Sequence, residues 1–267
     1  MLIAQLTDLH IKKEGKLAYQ KVDTLQCLKD AVQHINRLNV DLVVITGDLG
    51  DFGLDEEYAI VLRELSQLNA PVRVIPGNHD HKIRLREGLR ELVDFEDSVE
   101  CNFSLETEHC LLIGLDSSIP EKPHGCIAST SLNWLQSKLK ETSKPVLLFV
   151  HHPPMEVGIN HMDVQNLHNA EALWDVIAPF DSVVGIITGH LHRTITAIWK
   201  GVPVWVGPSH SHSVALDFDK EGIPAFQMEP KAIQLFKVDD KGVLSHVSYI
   251  GDYEGPFPFF DKEGLVD

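Results

Sequence analysis

Short apolar runs divide this chain, and the residues that end them constrain both its fold and its chemistry. Leu2 to Leu6, Leu42 to Thr46, Val72 to Ile75, Val146 to Val150 and Val183 to Thr188 are too short for buried helices and read as buried strands. Amphipathic stretches from Val22 to Leu38 and from Glu56 to Leu68 separate the first three. Strands spaced by helices demand right-handed crossovers and a layered α/β architecture. A further strand is expected over Cys110 to Leu115 and a helix over Ser131 to Lys140. After Gly189 the pattern turns to hairpins: Thr194 to Trp199 with Val202 to Val206, and Ile233 to Val238 with Val243 to Ile250.

A chain of 267 residues with 43% hydrophobic and 23% charged side chains fits one large domain. We read residues 1–250 as that domain and 251–267, GPFPFFDKEGLVD at its end, as a surface tail or oligomer contact. The balance of 39 acidic against 23 basic side chains, a formal charge of −16, repels nucleic acid duplexes and anionic membranes. No apolar run approaches the ~18 residues of a membrane span. The opening MLIAQLTD carries no secretory signal, so a cytoplasmic protein is expected. Cys27, Cys101, Cys110 and Cys126 show no CxxC spacing and read as free thiols, although Cys101 and Cys110 flank a possible hairpin.

The strand ends carry the chemistry. The first run exits into Asp8 and His10, the second into Gly47 and Asp48, and the third into Asn78 and His79. The last two exit into His151 with His152, and into Gly189, His190 and His192. In open α/β sheets ligands gather outside the carboxyl ends of the strands, so these groups should converge. Singly, a GD, an HH or an HxH is commonly a turn or a solvated face. Together they are nitrogen and oxygen donors without a thiolate, enough for two divalent or trivalent cations such as Mn, Fe, Co or Zn.

The ordered blocks Asp8-Leu9-His10, Gly47-Asp48, Gly77-Asn78-His79-Asp80, His151 and Gly189-His190-Leu191-His192 closely resemble the calcineurin-like metallophosphoesterase superfamily. MLIAQLTDLH, IPGNHD and FVHHPP, with Met162-Asp163 downstream, look like its class III cyclic-nucleotide phosphodiesterase and glycerophosphodiesterase branch. The resemblance implies a four-layer αββα sandwich of two mixed sheets flanked by helices. It implies one metal on Asp8, His10, Asp48 and His192, and a second on Asp48, Asn78, His151 and His190. A bridging hydroxide would attack a small phosphodiester in line.

His79 would face the leaving oxygen, and Asp80 would hold that imidazole or anchor the turn. His212, more than His210, matches a substrate-side histidine of the branch. The loops Met155 to Asp163 and His210 to His212 would wall the cleft, with Arg193 the candidate clamp for a phosphate. His81 is expected to be exposed, and His152 to pack beside the site. His34, His109, His124, His168 and His246 carry no motif. A homo-oligomer is expected. The same fold also serves phosphomonoesterases, nucleotidases and nucleases, and non-catalytic scaffolds; a scaffold would have lost donors, and here every block is intact.

Overall fold

The computed structural model describes residues 1–96, 99–262 and 264–266. Strands β1 (Leu2–Leu6), β2 (Leu42–Thr46) and β3 (Val72–Ile75) run parallel, connected through α1 (Thr24–Leu38) and α2 (Asp55–Leu65). After α3 (Lys82–Leu89) come β4 (Phe103–Glu106) and β5 (Leu111–Leu115), an antiparallel pair. The chain continues through α4 (Ser129–Glu141), β6 (Val146–Val150), α5 (Asn160–Asp163), α6 (Ala170–Ile177) and β7 (Val183–Thr188). It ends in β8 (Ile195–Trp199), β9 (Val202–Val206), a ribbon of β10 (Ser213–Val214) and β11 (Phe226–Gln227), and the hairpin β12 (Ala232–Asp239) to β13 (Gly242–Tyr249).

Two sheets result, with strand orders β13-β12-β1-β2-β3 and β4-β5-β6-β7-β9-β8. The two C-terminal hairpins therefore go to different sheets. β9 lies parallel to β7 in the second sheet, whereas β12 closes antiparallel on β1 in the first. Alternation along each strand explains the layering. Ile3, Leu42 and Val44 meet Leu147, Phe149 and Ile187 between the sheets. Their neighbours Ala4, Leu6, Val43 and Ile45 turn outward onto α1 and α2, and Leu148 and Val150 pack with Leu135 of α4 and Leu173 of α6. Strands covered on both faces need apolar residues at every position, which is why the runs are continuous. The architecture is the expected four-layer sandwich.

A polar residue links the two sheets. Gln5, fully buried in β1, donates from Nε2 to Thr46 Oγ1 and to the Thr188 carbonyl of the other sheet, each at 2.8 Å. That bond pins the carboxyl ends of the two sheets together where the site forms. The hairpin register of β4 and β5 keeps Cys110 beside Thr107 and ties the Cys101 amide to the Asp116 carboxylate, so the two thiols do not face each other; all four cysteines are free. The described residues after Ile250 are exposed.

Candidate metal centre and cleft

All the strand-end donors expected to converge do so. Asp8 and His10 follow β1, Asp48 follows β2, Asn78 and His79 follow β3, His151 follows β6, and His190 and His192 follow β7. Groups able to share an ion form around Asp8, His10 and His192, and around Asp8, Asp48 and His151. His10 Nε2 lies 3.1 Å from His192 Nε2 and 3.6 Å from Asp48 Oδ2. On the other side His151 Nε2 is 3.4 Å from Asp48 Oδ2 and 3.2 Å from Asn78 Oδ1. Asp48 Oδ2 thus faces both halves, while its Oδ1 accepts the His79 amide at 2.9 Å.

Bringing strand ends this close strains the backbone. Asp8, His10, Asp48, His190 and His192 all have positive φ, between 45° and 71°. Non-glycine residues seldom occupy that region, and such outliers collect at functional sites. The loops hold one another in these conformations through Asp8 N to Gly47 O, His10 N to Asp48 O and Gly189 N to His151 O, all within 3.0 Å. The Asp8 carboxylate also accepts the His190 amide at 3.1 Å.

Ring nitrogens are sorted by their outer partners. His10 Nδ1 donates to Asp51 Oδ1 at 3.0 Å and His151 Nδ1 to the Thr46 carbonyl at 2.7 Å, so each turns its Nε2 toward the centre. Burial holds His190 down to about 3, with the His151 charge adding to it, and depresses His192 strongly, reinforced by His10. Both are therefore neutral bases with lone pairs available, the form that binds a metal. His190 Nε2 and His192 Nδ1 are buried with no hydrogen-bond partner. Burial alone would lower His151, but Asp48 outweighs it and lifts the imidazole to about 9; burial and the Asp48 charge raise Asp8 to about 6. Crowded carboxylates beside the neutral His190 and His192 fit divalent cations, which Asp8, His10, Asp48, Asn78, His151, His190 and His192 could hold.

Several expectations need refinement. Asp80 turns away from the His79 ring: its carboxylate accepts from the amides of Gly77, Leu49 and Gly50 and from the Tyr58 hydroxyl, all at 2.9–3.1 Å, so it anchors the turn. The His79 ring is set instead by the Asp51 carbonyl, 2.8 Å from Nδ1. Arg193 is not a clamp, because its guanidinium is bound to Val214 O at 2.6 Å and to Glu229 at 3.0 Å. His81 is exposed as expected, and also caps α3. His152 is buried against Ser117 Oγ at 2.8 Å and stands 4.8 Å, ring to ring, from both His151 and His190. His210 is buried and does not line the cleft.

A cavity of about 420 Å³ opens over the donors, its walls including Tyr19, His161, Met162, Gln165, His212 and Phe226. Of the expected loop from Met155 to Asp163, only His161 and Met162 reach this wall. His212 does reach it, with its ring 5.3 Å from Tyr19 and 5.5 Å from Phe226. Tyr19, Phe226 and Asp51 escaped sequence reasoning. Asp51 alone left a signal, a second carboxylate three positions after Asp48 in GDLGD.

Two mixed sheets between helix layers, with metal donors on their carboxyl edge, define the metallophosphoesterase class of protein. The chain belongs to the calcineurin-like phosphoesterase family, whose model matches residues 1–194. It is 42% identical over 273 residues to the protein named Probable glycerophosphodiester phosphodiesterase GpdQ of Arcobacter nitrofigilis, with 100% of both chains covered. It is 32% identical over 277 residues to a protein of Rhodopseudomonas palustris named as a probable cyclic nucleotide phosphodiesterase, covering 99% of this chain and 98% of that one. The crystal structure of a dimetal phosphatase from Danio rerio shares the fold, with a TM-score of 0.65 at 15% identity over 94% of this chain and 99% of that one.

Proposed function

We propose that this protein hydrolyses small phosphodiesters at a centre of two divalent or trivalent ions. Asp8, His10, Asp48 and His192 would hold one, and Asp48, Asn78, His151 and His190 the other. The nitrogen and oxygen donor set suits Mn, Fe, Co or Zn. Bound ions would supply Lewis acidity, polarising the phosphate and making water nucleophilic at neutral pH.

The observation that carries the choice of diester is the lack of a free cationic side chain in the cavity wall. Among the described residues no Arg or Lys lines it, and Arg193 nearby is consumed by Glu229. A phosphomonoester is close to a dianion and calls for bidentate partners of that kind; a diester carries a single charge. The relatives named as glycerophosphodiester and cyclic nucleotide phosphodiesterases point to the same class. A cavity of about 420 Å³ suits a glycerol or nucleoside substituent. A cleft of this size would not admit a duplex, which the −16 chain also repels.

In the reaction a P–OH bond forms as the opposite P–OR bond breaks, and the alcohol leaves with a proton. His79 would give that proton as the imidazolium, its Nδ1–H donating to the Asp51 carbonyl and its Nε2–H going to the leaving oxygen. The free thiols agree with a reducing compartment, the cytoplasm.

The test is kcat/KM for bis(4-nitrophenyl) phosphate, 4-nitrophenyl phosphate, glycerophosphoethanolamine, a 3′,5′-cyclic nucleotide and a DNA duplex, with one reconstituted metal. Small diesters should rank first, with measurable cyclic nucleotide turnover. A monoester or a duplex at the top refutes the diester reading and leaves the metal centre standing.

A further inference from the structure

On the other side of Asn78 and His79 lies a second and larger lobe of about 730 Å³. Asn78 and His79 line both lobes, so they form the partition between them. The first lobe lies over the metal donors. The apolar part of the second lobe's wall is Phe52, Ile83, Val99 and Pro120, with polar residues such as Ser118 and Glu121 beside them, and Phe52 and Ile83 are 66% and 63% exposed. Large apolar side chains left in water beside a reaction centre are informative, because they gain free energy when a ligand covers them. Phe52 is also held in place, with Lys12 Nζ 4.0 Å from its ring centroid and Lys12 in turn 2.6 Å from Asp51.

We propose that this second lobe is the leaving-group subsite and that it takes an apolar, uncharged alcohol substituent of the diester. The inference rests on the diesterase reading above. With the phosphate over the donors of the first lobe, one substituent stays beneath Tyr19 and Phe226, and the other passes His79. The substituent that passes His79 is the one whose ester oxygen can receive a proton from that ring. The leaving alcohol therefore occupies the second lobe, and its chemistry is read from the wall. Lys82, the cationic residue there, is paired with Glu100 at 2.5 Å and Asp116 at 3.0 Å, and the rim carries Glu121. An anionic leaving group would meet carboxylates. A hydrocarbon or aryl one covers Phe52 and Ile83.

Direct binding tests this without turnover. Calorimetric titration of the manganese-loaded protein with O-alkyl methylphosphonates, monoanions like the diester, should show Kd tightening about two- to four-fold for each methylene from methyl to hexyl, the scale expected for burying a methylene. The double substitution Phe52→Ser/Ile83→Ser should abolish that dependence on chain length, and Tyr19→Ser in the first lobe should retain it. No tightening in the unsubstituted protein, no binding of any member, or a dependence that survives the double substitution overturns the proposal. Turnover of bis(4-nitrophenyl) phosphate is measured in parallel. If turnover is absent while the chain-length dependence stands, the reaction class fails and the apolar subsite does not. Normal turnover with a flat series condemns the subsite alone.

Discussion

His10 and His151 solve one problem with different means: each donates from Nδ1, which would leave Nε2 to bind an ion. His151 uses the Thr46 carbonyl at 2.7 Å, which no side-chain substitution can remove. His10 uses Asp51 at 3.0 Å, which a mutation can. Asp51→Ala should therefore weaken metal affinity 10–100-fold, the range typical for losing a partner that orients a ligand. His79 should stay in place, because its contact is with the Asp51 main chain. Equilibrium dialysis against manganese measures the loss, and unchanged affinity would show that His10 is oriented by something else. His79→Ala should behave in the opposite way, keeping metal and losing rate. The loss should be about 10²–10⁴-fold for an alkyl leaving group and much less for nitrophenolate, which needs no proton. An equal loss for both leaving groups would remove His79 from the proton transfer. The donors were legible in the sequence because each sits at a fixed offset from an apolar run. Asp51, Tyr19 and Phe226 were hidden because their contacts exist only once separate loops meet: Asp51 reaches His10 across 41 positions.

Elements bring these residues together only where side chains are missing. A Cβ on Gly77 would lie 2.1 Å from Asp48 Oδ1 and 2.5 Å from Asp48 N, and one on Gly47 would lie 2.3 Å from His151 Nδ1. The β2 and β3 ends thus approach through bare backbone. Gly77→Ala should displace the Asp48 carboxylate and cost at least ~100-fold in activity, a loss on the scale of a misplaced catalytic group. Gly242→Ala in the β12–β13 turn is the comparison. Its φ of +128° strains any side chain, yet nothing lies within 4 Å, so it should cost about 1 kcal/mol of stability and no metal. Metal content and thermal melting of the two variants separate steric exclusion from backbone strain; equal metal content in both would deny that Gly77 guards Asp48. The same close packing explains what the sequence concealed. The strands other than β4, β10 and β11 were readable from their runs, and α1, α2 and α4 from their amphipathic period. α3 was not, since Gly88 interrupts KIRLREGL; its missing side chain lets α3 pack on Tyr58 of α2, where a Cβ would come within 2.7 Å of Tyr58 Cβ. The two-residue ribbon β10–β11 is too short to leave a period at all.

On the scale of the whole chain, the first sheet is built from both ends of the sequence. β1, β2 and β3 come from the first 75 residues, and β12 and β13 close on β1 from the last forty or so, with Ile233 and Ile250 buried in the same core as Leu6 and Ile45. Chain closure is therefore a condition for the donor cluster, and Gln5 then locks the second sheet against the first. The described residues beyond Ile250 have no part in this framework. Tyr253, Phe257, Phe259 and Phe260 are between 65% and 79% exposed on a chain whose −16 charge otherwise disfavours self-association. A homo-oligomer joined through the tail would bury these aromatic side chains against a second copy. Truncation after Gly251 should leave melting temperature and metal content unchanged, because no sheet strand or donor is removed. It should lower the mass in light scattering from an oligomer to a monomer. A full-length chain that is already monomeric, or an oligomer that survives truncation, rules the tail out as the contact. Loss of metal on truncation would instead place the tail within the catalytic framework.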